Sequence, residues 1–205
     1  MKTFRESQNG ILLFMGQRKT LAIAFSLLAL VMAEAPAGIL TFTHEGNGSG
    51  TLADSPFAAS DFVVTAFGDT DDRQSFGDGW WIDHISASIS IDGLGDFDFL
   101  TGTRTFVNND TSTVGFSRAG SSADLFNGPT DAVFGTWDML GPIGPISGSG
   151  RLMQWAYTPL INTTGGILIF DSDSGVSTTF TAIPEPATIC LLGLGGLLLR
   201  RRKSA

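Results

Sequence analysis

Between residues 38 and 182 apolar side chains recur at every second position, and no other feature of the chain constrains its fold as tightly. In "ISASISI", alternation puts Ile85, Ala87, Ile89 and Ile91 on one face and Ser86, Ser88 and Ser90 on the other. "DFDF" continues it through Phe97 and Phe99. The runs at 39–44, 62–67, 103–108, 113–117, 151–155, 166–170 and 178–183 also read as strands. Between them lie "DGLG", "NGPT" and "GPIGPISGSG", which read as turn chemistry. No ten-residue window of this region carries a helical stripe. The expected body is all-β, a β-sandwich or jelly roll of about nine or ten short strands with the phenylalanines as its core.

Charge narrows the partners. The whole chain carries a formal −8, but its cations crowd the two ends. Residues 38–182 hold four Arg and no Lys against seventeen acids, sixteen of them Asp, for a net charge of −13. Such a body repels phosphate backbones and anionic lipid, which argues against nucleic-acid binding. Divalent cations are the partners it leaves open. The single cysteine, Cys190, lies in the C-terminal apolar run, so the body has neither disulfide nor thiol chemistry and must rely on a packed core.

The two ends mirror each other. Leu21–Met32 is apolar, follows Arg18-Lys19, and leads into Ala35-Pro36-Ala37, a small-x-small exit that signal peptidase accepts. Residues 1–37 therefore read as a signal helix cleaved after Ala37. Counted from Met15 the segment has ordinary proportions, so Met15 is the expected start of translation. At the other end Ala187–Leu199 is apolar and is followed by Arg200, Arg201, Arg202 and Lys203. As a helix it would reach only about 20 Å, against the roughly 30 Å of a hydrocarbon core. Snorkelling cations and local thinning accommodate a short transmembrane helix. The positive-inside rule then keeps the Arg200–Lys203 stop in the cytoplasm and the acidic body across the membrane.

The order Pro184-Glu185-Pro186, short apolar helix and terminal Arg cluster, within residues 183–205, closely resembles the PEP-CTERM sorting signal of bacterial exopolysaccharide-associated proteins. The resemblance implies that an exosortase, a membrane enzyme, recognises the tail and cuts near Pro-Glu-Pro. It implies a protein held briefly in the membrane, then released to the cell surface or extracellular matrix. Two prolines flanking Glu185 resist helix and sheet, so this segment is expected to be extended and free to thread into a processing site. "FLTGTRTFVNN" and "TWDMLGPIGPISGSG" are similar to β-domains carried by PEP-CTERM proteins, a likeness that brings no activity with it.

The body offers little catalytic chemistry. Its histidines are His44 and His84, and Asp83 beside His84 should point to the opposite face of a strand. Paired carboxylates for a secreted hydrolase would have to come from an Asp-rich set with Glu45 as its one Glu. Asp171 and Asp173 in "DSDSG", like Asp69, Asp71 and Asp72 in "DTDD", are spaced as hard-cation ligands are, without completing a calcium loop; solvated turns are the plainer reading. Trp80, Trp81, Trp137 and Trp155 are either core or sugar-stacking platforms, and adjacency puts one of Trp80 and Trp81 outside if both lie on a strand. The expectation is a non-catalytic, structural or adhesive surface protein without a cofactor. A carbohydrate-binding module acting on exopolysaccharide is the alternative.

Overall fold

The computed structural model describes residues 38–121 and 123–185. The expected signal helix with Ala35 and Ala37, Pro186, the membrane helix Ala187–Leu199 and the Arg200–Lys203 cluster lie outside the described residues. Among the described residues no helix is long and apolar enough to cross a membrane.

The body is all-β, with thirteen strands and two 3-10 turns. In chain order the strands are β1 (Ile39–Leu52), β2 (Ser55–Asp69), β3 (Gln74–Phe76), β4 (Gly79–Asp83), β5 (Ser86–Ile91) and β6 (Gly95–Asp98). There follow β7 (Thr103–Asn108), β8 (Thr113–Arg118), β9 (Asp124–Thr130), β10 (Ile143–Leu152), β11 (Ile161–Thr163), β12 (Gly166–Phe170) and β13 (Asp173–Pro184). All named pairings are antiparallel, and they form one sheet ordered β3-β4-β7-β8-β9-β10-β13-β1-β2-β5-β6, with β12 on β1 and β11 on β12.

Hydrogen bonding runs continuously through the strands, which make one curled sheet. β4 and β5 are consecutive in sequence yet sit near opposite margins of it. His84 N–H donates to Thr103 C=O, extending the β4–β7 ladder, and the next amide, Ile85 N–H, donates to Phe67 C=O of β2. The chain thus changes partners within two residues and stitches the margins together, as strands do at sandwich corners. Ile85, expected on the apolar face, sits at this corner and is 64% exposed. Ala87, Ile89 and Ile91 are buried as the alternation requires.

The curl brings β1 across from β7 and β8. His44 of β1 meets Thr105 of β7 at 3.1 Å and the ring of Phe116 of β8 at 5.8 Å between centroids. One cluster packs Phe62, Phe116, Phe126, Trp155 and Phe170. A second packs Leu40, Phe42, Ile82, Val107, Phe134 and Phe180. His44 contacts Phe126 of the first and Phe180 of the second.

The strand count exceeds expectation by the short strands β3, β4, β9 and β11, and stretches that read as glycine-rich turns lengthen others. "GPIGPISGSG" is mostly β10, and "NGPT" ends β9. β1 runs on through Gly46, Gly48 and Gly50. A Cβ on Gly46 would lie 2.6 Å from the Phe62 ring, and one on Gly48 2.7 Å from Leu152. Gly46 and Gly48 make room for core side chains, and the β1–β2 register shifts between Gly48 and Gly50.

Candidate functional site

Two places carry chemistry. The first is the start of the Pro-Glu-Pro segment. Pro184 is the last residue of β13, in register with Leu40 of β1. Glu185 N–H donates to Ile39 C=O at 3.1 Å. That bond makes Ile39–Glu185 a hydrogen-bonded pair and Leu40–Pro184 a non-bonded one. The proline nitrogen, which has no hydrogen to donate, therefore faces away from β1. On that side β10 has run out, since its last pairing with β13 is Ile143 opposite Ala182. Proline at an unpaired edge costs no ladder bond. Pro184 and Glu185 are extended, as expected, but they belong to the sheet and are not a free thread.

The second place is on the outward face of β4, β7, β8 and β9. Trp81 stands opposite Phe106, Phe106 opposite Gly115, and Gly115 opposite Asn127, which in turn pairs with Arg151 of β10. This row runs across five strands with two rings at one end and an amide and a guanidinium at the other. At its centre Gly115 has no side chain, and the Phe106 ring leans into the space: a Cβ there would lie 2.4 Å from Phe106 and 2.8 Å from Asn127 Oδ1. Two recesses of about 560 and 570 Å³ flank the row and share Phe106, Asn108 and Asp124 as walls.

The polar groups of this face are held in place. Arg104 Nε pairs with Asp83 Oδ1 at 3.0 Å, and its guanidinium lies 5.1 Å from the centre of the Trp81 ring. Phe76 backs the same indole at 5.7 Å. Asn127 Nδ2 donates to Asp124 Oδ2 at 3.0 Å. Burial pushes the Asp124 carboxyl above its ordinary range, with the Asn127 hydrogen bond pulling the other way. Asn127 Oδ1 is buried and has no hydrogen-bond partner, so it stands ready to accept one.

The adjacent tryptophans divide as alternation requires. Trp80 packs against the second core cluster with Arg73 over its ring at 3.9 Å, and Trp81 lines the outer recess. Trp137 and Trp155 are buried, donating their indole N–H to Gly141 C=O and Leu125 C=O.

His84 and Asp83 also separate. Asp83 takes Arg104, and His84 turns inward to the hydroxyls of Thr103 (2.9 Å) and Thr105 (3.0 Å). His44 reaches the same Thr105 hydroxyl. Burial lowers the pKa of both imidazoles, His44 to about 3.

The acidic turns are used locally. Asp69 Oδ1 accepts the Asp71 N–H as the cap of a 3-10 turn, and Asp173 Oδ1 accepts the Ser174 N–H. Asp171 is exposed, and no group of three or more metal-capable side chains forms among the described residues.

Sequence reasoning found Trp81 but missed Phe106, Gly115, Asp124 and Asn127. Alternation within "TRTFVN" and "TVGFS" puts Phe106 and Gly115 outside. Their meeting depends on strand register, which the local sequence does not carry.

Residues 182–203 match a family described as the PEP-CTERM protein-sorting motif. The chain carries this sorting signal, the mark of an exported protein that an exosortase processes at the membrane. The match begins inside β13, which runs to Pro184. No curated protein and no solved structure matches the chain.

Proposed function

We propose that the exported body is a structural or adhesive component of the cell surface or extracellular matrix, and that it holds polysaccharide in the outward recess of β4, β7, β8 and β9. The observation that carries this reading is the row from Trp81 to Arg151. Sugar rings offer C–H faces to aromatic platforms and hydroxyls to carboxylates, amides and guanidinium groups. Trp81 and Phe106 supply the first, and Asp124, Asn127 and Arg151 the second. Exopolysaccharide is the ligand class this reading takes, on the resemblance of the tail to the sorting signal of exopolysaccharide-associated proteins.

Binding is favoured over hydrolysis on the same geometry. Asp124 is the carboxylate that lines both recesses. Glycoside cleavage works through two carboxylates flanking the scissile bond. Both histidines of the body face the core.

The test is binding of the exported protein to polysaccharide purified from its own host, read by affinity electrophoresis. Trp81→Ala should weaken retention several-fold, up to about tenfold, the scale of one lost aromatic contact. Retention equal to the parent protein would sink the proposal. Release of reducing ends during the incubation would replace it with a hydrolase.

A further inference from the structure

We infer that the outward face holds an internal stretch of a linear polysaccharide, one chain laid across Phe106 so that it fills both recesses at once. This inference rests on the saccharide reading above and adds to it how much of the chain is bound and which part.

The row of register partners is too long for one sugar. From Trp81 it passes Phe106, Gly115, Asn127 and Arg151 and goes on to Ser174 of β13. Strand-to-strand steps of about 4.8 Å carry it roughly 24 Å, the reach of about five linked sugar rings. The chemistry changes along the way. On one side of Phe106 the recess offers Trp81, Arg104 and Ser121, and on the other Thr113, Asn127, Thr130 and Arg151. No single ring reaches both sets.

Phe106 is the crossing point. It lines both recesses, and the far end of its ring stands where a Gly115 side chain would be, 2.4 Å from the position of that Cβ. Trp81 already has Phe76 at 5.7 Å and the Arg104 guanidinium at 5.1 Å. Among the described residues no ring or guanidinium stacks on Phe106, which leaves it for the C–H face of a sugar. Beside it, Asp124 and the buried Asn127 Oδ1 accept from hydroxyls.

Neither end of the row is walled. Gln74, the partner of Trp81 on β3, is exposed. At the other end Ser174 and Gly175 are exposed, and a Cβ on Gly175 would meet nothing within 4 Å. A chain can therefore run on past both ends, which a pocket for a terminal sugar would forbid.

The probes are oligosaccharides from disaccharide to octasaccharide, cut from the polysaccharide of the native host, separated by size and titrated calorimetrically into the exported protein. Affinity should rise at least about tenfold from disaccharide to hexasaccharide, because the second recess is then filled by a unit already tethered in the first, and level off beyond it. Equal affinity for disaccharide and octasaccharide overturns the inference and leaves the saccharide reading intact. No binding at any length, nor of the intact polymer, removes both. At equal mass of sugar the polymer should compete as well as the octasaccharide. Competition that falls with the number of chain ends would make this an end-reading site and overturn the inference. Phe106→Leu keeps an apolar side chain over Gly115 and takes away the flat ring. It should lower hexasaccharide affinity more than disaccharide affinity, a ratio from which any change in folded fraction cancels. An equal loss at both lengths would overturn the crossing at Phe106.

Discussion

The two outward faces of the curled sheet obey the same alternation and have come to different ends. On the β13-β1-β2-β5 side, Thr181, Thr43, Thr65 and Ser88 stand in register across four strands. That face is an even row of short hydroxyls, three of them on stiff β-branched threonines that suit a solvated sheet. On the β4-β7-β8-β9 side, the corresponding row sets two aromatic rings beside a glycine and an amide. Contrast in side-chain size between register neighbours makes a recess; uniformity does not. The inward faces differ far less, since both contribute apolar side chains to the core.

The strongest way to break the comparison is to remove what both faces share. Trp155 is 1% exposed, packs on Phe170 at 4.9 Å and donates to Leu125 C=O at 2.7 Å. Trp155→Ala should cost about 3–5 kcal/mol and take both faces down in one transition. Urea unfolding followed by fluorescence and by polysaccharide retention checks it, and two separate midpoints would mean that the faces are independent.

Acid comes next. An unfolded imidazole titrates near 6.5, and burial holds His44 at about 3. Between those values the unfolded chain binds a proton that the folded chain refuses. Stability is therefore complete above pH 6.5 and declines as pH falls toward 3. At pH 5 the loss from His44 is about 2 kcal/mol, and His84 adds a loss of the same sign. Urea midpoints at pH 7 and pH 5 measure this, and His44→Leu should flatten the difference.

Gly115→Ala sharpens the comparison by making the second face resemble the first. The new methyl meets the far end of the half-buried Phe106 ring, which can swing outward, so stability should change by only about 1 kcal/mol. Saccharide retention should nevertheless drop, because Phe106 would occupy the recess. Thr65→Ala, the smallest effect, should move stability by less than about 0.5 kcal/mol and leave retention unaltered. A loss of retention there would transfer the binding role to the hydroxyl row.

Several features of this fold are legible in the sequence itself. Alternation identified "TRTFVN" and "GILIF" as β7 and β12 to the residue, and it separated Asp83 from His84 and Trp80 from Trp81. It failed at Gly46, Gly48 and "GPIGPISGSG", where glycine serves close packing and long strands look like turns. It failed again at Pro184, where the side of the strand that proline presents, and not its presence, decides whether a ladder accepts it. The recess was out of reach for a related reason. Trp81, Phe106, Gly115 and Asn127 come from four strands, and only pairing makes them neighbours.

The stitch between β4 and β5 also bears on how copies of the protein behave when crowded. An open sheet of this size would offer long unpaired margins on which a second sheet could grow. Here the margins are drawn together by one strand, and the terminal strands of the sheet order are β3 with three residues and β6 with four. β6 carries Asp96 and Asp98, so a second edge meets like charge as well as a short template. A body built this way can be packed densely outside the cell and stay a collection of separate molecules rather than a fibre.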